Sequence, residues 1–166
     1  MLRTDKENYY LDIADTVSRR STCLRRMYGA IIVLNDEIIS TGYNGAPRGR
    51  INCSDAGRCA RVEMKIPSGE RYELCRSVHA EANAIISASR RDMIGSVLYL
   101  VGRDAQTKEL LHDATSCAMC RRLIINAGIE KVIIRSSEED FSVVEVKEWI
   151  ENDDSVFFIR ECDENG

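Results

Sequence analysis

Two short polar motifs constrain this chain more than anything else in it: His79-Ala80-Glu81 opens one helical segment, and Cys117-Ala118-Met119-Cys120 opens the next. The apolar run 96–101 between them reads as a strand, so both helices can start beyond the same edge of one sheet. Two helix N-termini, each a positive dipole end with free backbone N–H groups, then converge on one point. A thiolate favours that environment. The C-x-x-C spacing puts two sulfurs about one helical turn apart, suited to two corners of a tetrahedron around Zn²⁺, and one imidazole supplies the third. The fourth position stays open for water. Glu81, two residues beyond the histidine and not needed as a ligand, can take a proton from that water and hand it on. A C-x-x-C alone fits a structural zinc or a redox pair equally well; the His-x-Glu before it favours an open, catalytic site.

Composition fits a single globular domain over residues 1–166. The chain is 44% hydrophobic and 30% charged, which argues against intrinsic disorder. Its net charge of −4 has the wrong sign for gripping a nucleic-acid backbone. That charge is unevenly spread: residues 1–91 hold 15 basic and 11 acidic side chains, residues 92–166 hold 8 and 16. An anion site therefore belongs in the first half, where Arg19, Arg20, Arg25 and Arg26 cluster. The N-terminal segment shows no signal-like apolar core, and no apolar run approaches the ~18 residues of a membrane span, so neither a membrane nor a nucleic acid is expected as a partner. Seven cysteines without a secretory signal point to a reducing cytoplasm, where clustered cysteines are more often metal ligands or nucleophiles than disulfides.

Along the chain, Thr4 or Asp5 can cap a first helix with apolar residues Tyr9, Tyr10, Ile13, Ala14 and Val17 at helical spacing. Segments 29–34 and 37–43 read as a hairpin turning at Asn35-Asp36. From 44 to 76 periodicity dissolves into glycines, both prolines and three cysteines. A loop that long is rare in a compact domain unless something ties it down. A helix at 79–88, a strand at 96–101, a polar segment at 102–116, a helix from Cys117 to a stop at Gly128, and a strand at 131–135 follow. The spacing of Val143, Val146, Trp149 and Ile150 then predicts an amphipathic helix, and 156–159 a last strand before a frayed acidic tail at 160–166. Strands alternating with helices after a hairpin predict a three-layer α/β/α sandwich around a mixed five-stranded sheet.

The H-x-E and C-x-x-C pair is the signature of zinc nucleobase deaminases. On the stretches Gly29-Ala30-Ile31-Ile32-Val33, Thr41-Gly42-Tyr43-Asn44-Gly45-Ala46-Pro47-Arg48-Gly49, His79-Ala80-Glu81-Ala82-Asn83-Ala84-Ile85, and Cys117-Ala118-Met119-Cys120 with Ile124-Ile125-Asn126-Ala127-Gly128-Ile129, the chain resembles the cytidine and deoxycytidylate deaminase superfamily. It is most similar to the deoxycytidylate (dCMP) branch, which the Gly-Tyr-Asn-Gly segment favours. The resemblance implies a cytidine-deaminase-like fold and hydrolysis of dCMP to dUMP and ammonia. His79, Cys117 and Cys120 would hold zinc, hydroxide would attack C4, and Glu81 would shuttle protons. It further implies Asn44 at the substrate sugar, Arg26 at the 5′-phosphate, and Tyr72 and Ala80 lining the pocket. Asn44 could instead hold a left-handed turn, and Arg26 could be surface charge. Homo-oligomers, often hexamers, and dCTP or dTTP effectors are family traits. Alternatives are a deaminase of another nucleoside, base or nucleotide, or a non-catalytic zinc-binding nucleotide sensor.

Two departures from the family stand out. Ser116 occupies the place where the family has proline, and 102–116 is an insertion that could serve as a lid or an oligomer contact. Cys23 and Cys53 resemble cysteine ligands of a second, structural zinc found in some dCMP deaminases. Adding Cys59 and Cys75 would complete a closed Cys₄ site that ties down the unpatterned loop. Four buried free thiols are the plainer reading. Cys162 has no evident partner.

Overall fold

The computed structural model describes residues 2–153 and 155. The strand expected at 156–159 and the acidic tail at 160–166 lie outside the described residues. Asp5 caps α1 (Lys6–Ser18), accepting a hydrogen bond from the Asn8 N–H at 2.9 Å. β1 (Arg26–Leu34) and β2 (Glu37–Tyr43) form the expected hairpin. Asn35 and Asp36 both take positive φ, 50° and 66°, the conformation a two-residue turn needs to match strand twist.

The unpatterned loop is built from single turns: α2 (Cys53–Ala56), α3 (Ala60–Glu63) and a 3₁₀ turn at Tyr72–Leu74. After it come α4 (Ala80–Ile86), α5 (Arg90–Met93), β3 (Val97–Asp104), α6 (Ala118–Ala127), β4 (Lys131–Arg135), β5 (Phe141–Glu145) and α7 (Val146–Glu151). Strand order is β2-β1-β3-β4-β5, with β3 and β4 parallel and every other neighbouring pair antiparallel. The mixed five-stranded sheet is present, but its fifth member differs from expectation. Residues 141–145, read as part of an amphipathic helix around Val143, instead pair with β4 from Lys131↔Glu145 to Arg135↔Phe141, and the helix starts only at Val146. Val143 and Val144 are β-branched, and the open edge of β4 offers a full ladder of backbone partners, which outweighs the helical spacing.

Side chains alternate across the sheet. Ala30, Ile32, Leu98, Leu100, Val132 and Ile134 face α4, α6 and α7, whereas Ile31, Val33, Tyr99, Val101 and Ile133 face α1. Two apolar faces covered by helices make the α/β/α layering. Arg103 clamps α1 to the sheet through both oxygens of Asp15, at 2.5 and 3.1 Å, and buried Arg135 reaches Asp12 at 2.7 Å. No helix among the described residues is long and apolar enough to cross a membrane.

The helix that carries His79 lies unusually close to the sheet. A Cβ added at Gly42 would sit 2.3 Å from both the Ala80 carbonyl oxygen and the Ala84 amide nitrogen. These are backbone atoms that cannot swing aside, so only glycine lets α4 rest on β2. Gly42→Ala is expected to destabilise the zinc-loaded protein by about 2–3 kcal/mol in urea denaturation, the upper range for overpacking.

Candidate active site

Backbone pairing sets the direction in which His79 enters. Val78 and Gly45 exchange hydrogen bonds of 2.8 and 3.2 Å, which ties the residue before His79 to the residue after Asn44. His79 is then the extended N-cap of α4, and Cys117 occupies the same position on α6 (φ −68°, ψ 166°). The two helix starts meet. His79 Nδ1 lies 3.4 Å from Cys117 Sγ and 3.4 Å from Cys120 Sγ. Among the described residues, this trio is the one group of three or more metal-ligating side chains with donor atoms all within 4.8 Å of one another.

The donor set suits zinc: two sulfurs and one ring nitrogen, one side of the cluster buried at Cys120 and the other opening into a cavity. The Cys117 thiol is pushed down to about 4, chiefly by the hydrogen bond from Cys120 and then by His79. Cys120 is correspondingly pushed up by that shared bond and by burial. The shared bond thus favours the thiolate at Cys117 and the thiol at Cys120.

A cavity of about 110 Å³ adjoins the cluster, and His79, Cys117, Ala80, Glu81, Asn44, Arg26 and Tyr72 all line it. The structure thus brings together every residue expected at the catalytic zinc and the substrate. Glu81 is 4% exposed, and burial pushes its carboxyl up, opposed by its own backbone N–H, by His79 and by Ser116. Tyr72 meets the His79 ring edge-on at 5.0 Å between centroids. Arg26 is half-buried beside the Tyr28 hydroxyl, and that contact raises its pKa further. Asn44 spends part of its amide on β1, accepting from Tyr28 N–H at 2.8 Å and donating to the Arg26 carbonyl at 2.9 Å. It is not among the residues with positive φ, so its role is not that of a left-handed turn.

Other residues at the cavity lie outside the recognisable motifs. Arg61 and Arg25 line the cavity as well, and so does Thr115, the contribution of the inserted segment, which folds back through a bridge between Arg103 and Leu110. No periodicity or motif marks Arg61; its one signal is its place two residues after Cys59. Asn83 turns away and donates to the Tyr43 carbonyl at 2.8 Å. Cys23, Cys53, Cys59 and Cys75 border a second, smaller cavity that shares a wall with the first. The Arg25 N–H donates to Cys23 Sγ at 3.4 Å, and Cys53 is pushed up by burial and by the three neighbouring sulfurs. These four sulfurs gather on one side of the loop but do not reach the mutual 4.8 Å separation of the first cluster.

A family model described as the cytidine and deoxycytidylate deaminase zinc-binding region matches residues 4–136. The chain belongs to this family. It is 38% identical over 137 residues to a deoxycytidylate deaminase of Mycobacterium phage D29, covering 80% of this chain and 96% of that one. It is 33% identical to the deoxycytidylate deaminase of Schizosaccharomyces pombe over 81% of this chain but only 38% of the yeast protein. Among solved structures, a dCMP deaminase from cyanophage S-TIM5 in complex with dCMP and dUMP superposes with a TM-score of 0.56 at 26% identity, covering 81% of this chain and 84% of that one. The family relationship and the donor geometry agree on zinc as the metal. Replacing Cys117 or Cys120 with alanine is expected to lower zinc affinity by at least about 100-fold, read by metal analysis after dialysis against a graded chelator.

Proposed function

We propose that the chain converts dCMP and water to dUMP and ammonia, working as a single domain over 1–166 in the cytoplasm. The observation that carries the reading is the placement of a buried carboxyl, Glu81, in the wall of the same cavity that receives His79 and Cys117. A bare binding module has little use for that carboxyl. Support for dCMP comes from the chain's similarity to deoxycytidylate deaminases and from the dCMP and dUMP held by the cyanophage protein.

His79, Cys117 and Cys120 would hold the zinc, which when bound would supply an acidified water at neutral pH. Glu81 holds and moves the protons. It accepts one from the attacking water as the new O–C4 bond forms and delivers it to N3 of the pyrimidine; it then takes the proton of the new C4 hydroxyl and passes it to the exocyclic amine, so that C4=O forms, the C4–N bond breaks and ammonia leaves. Burial raises the proton affinity of the Glu81 carboxyl, since desolvation disfavours its charged form. Tyr72 and Ala80 border the base. Asn44 faces the sugar, with one amide hydrogen and one lone pair left over from its bonds to β1. Arg26 faces the 5′-phosphate.

Three further elements belong to the same proposal. Cys23, Cys53, Cys59 and Cys75 would hold a second, structural zinc, a reading supported by their grouping around one cavity and by the N–H bond onto Cys23 Sγ. The chain assembles as a homo-oligomer, a hexamer by family resemblance. dCTP and dTTP act as effectors through the Gly42–Gly45 region, again by resemblance.

Glu81→Ala is expected to keep full zinc content and lose about 10³-fold or more in turnover; retained turnover overturns the mechanism. Ammonia release measured across dCMP, CMP, deoxycytidine and guanine should be highest for dCMP. Metal analysis by mass spectrometry should find two zincs per chain, and a count of one removes the structural site.

A further inference from the structure

Arg61 is the most deeply buried cation at the cavity, at 6% exposure. Its Nη2 donates to the Pro67 and Glu70 carbonyls at 2.8 and 2.5 Å, and its guanidinium lies over the Tyr72 ring at 4.7 Å. Among the described residues, no carboxylate forms an ion pair with it, and its buried Nε–H has no hydrogen-bond partner. Glu73, whose carboxyl senses the Arg61 charge, is already paired with Arg71. A buried charge without a counter-ion is costly, because neutral carbonyls and an aromatic face replace only part of its lost hydration. Buried Arg135 and nearly buried Arg103 each have an aspartate.

We infer that Arg61 is an anion receptor for the phosphate of the nucleotide, completing with Arg25 and Arg26 a three-arginine wall that makes a phosphomonoester the preferred substrate over the free nucleoside. The inference rests on the nucleotide-deaminase reading above and adds to it a residue outside the recognisable motifs. Geometry places the charge one aromatic ring from the metal-binding imidazole, through the Arg61–Tyr72 and Tyr72–His79 contacts. The base can therefore sit at the metal while the phosphate reaches the arginines. Two carbonyls and the ring fix the guanidinium plane, leaving its remaining N–H groups for the anion with little rotamer entropy left to lose.

The test compares zinc-loaded wild type, Arg61→Gln and Arg61→Lys. Glutamine should lower the ratio of kcat/KM for dCMP over deoxycytidine at least about tenfold, through KM for dCMP rather than kcat, as expected for one charge-assisted hydrogen-bonded contact. Lysine, which keeps the charge but not the fork, should fall between the two. Inorganic phosphate should inhibit wild type competitively against dCMP and inhibit the glutamine variant much more weakly. If both substrates lose kcat/KM equally, or phosphate inhibition is unchanged or non-competitive, Arg61 merely props the 67–70 loop and the inference is overturned. Phosphate binding measured by calorimetry separates this outcome from a failure of the parent reading. A wild type that binds phosphate without turning over dCMP, and loses that binding in Arg61→Gln, sinks the substrate assignment and supports the anion site.

Discussion

The site depends on how closely α4 can lie on β2. Gly42 brings the backbone of the helix against the backbone of the strand, and this contact sets the height at which His79 leaves the sheet. The Val78–Gly45 bridge then fixes its direction. From the other side, the parallel β3–β4 pair lets α6 cross over and begin beyond the same sheet edge, so that Cys117 and Cys120 arrive at the imidazole. Each ligand is an N-cap or first-turn residue of a short helix. A shift of either helix by a fraction of a turn would separate the donors, which is why backbone contacts rather than side-chain packing hold them.

Groups of opposite character meet at the cavity. The Cys117–Cys120 pair and the buried Glu81 carboxyl are groups that a divalent cation and proton exchange satisfy. The same lining holds Arg25, Arg26 and Arg61, which no acid pairs among the described residues. The basic first half of the chain and its acidic second half thus do not simply face each other across the fold. Much of the basic excess is directed into one pocket, and the acidic excess lies on surface positions such as Glu138, Glu139 and Glu145. A ligand that carries both an electrophilic ring and an anion matches that lining.

Legibility varied along the chain for identifiable reasons. The hairpin, α1, α6 and β4 each carry a local signature: the Asn-Asp turn, the Asp5 cap, the Gly128 stop, a run of branched apolar residues. β5 did not, because residues 141–150 satisfy the helical and the alternating period at once, and only a free edge on β4 chooses between them. The loop 44–76 has no period at all. Its single helical turns are assembled from long-range ties such as the Ser54 N–H to the Thr22 carbonyl and Arg76 to the Ile51 carbonyl. Arg61 sits in that loop, so its burial and its lack of an acid partner could not be read in advance.

What the amino-acid sequence determined by itself was the chemistry: a histidine, two thiols and a carboxyl at helix-start spacings, which local helical geometry converts into a metal-donor set and a proton carrier. What the tertiary structure alone decided was the composition of the space in front of them. Which arginines face the pocket, which thiols share its wall, and which segment supplies the fifth strand all depend on contacts between residues distant in the chain. Local propensity carries no information about such contacts, because their energy exists only once the sheet and the loop have closed on each other.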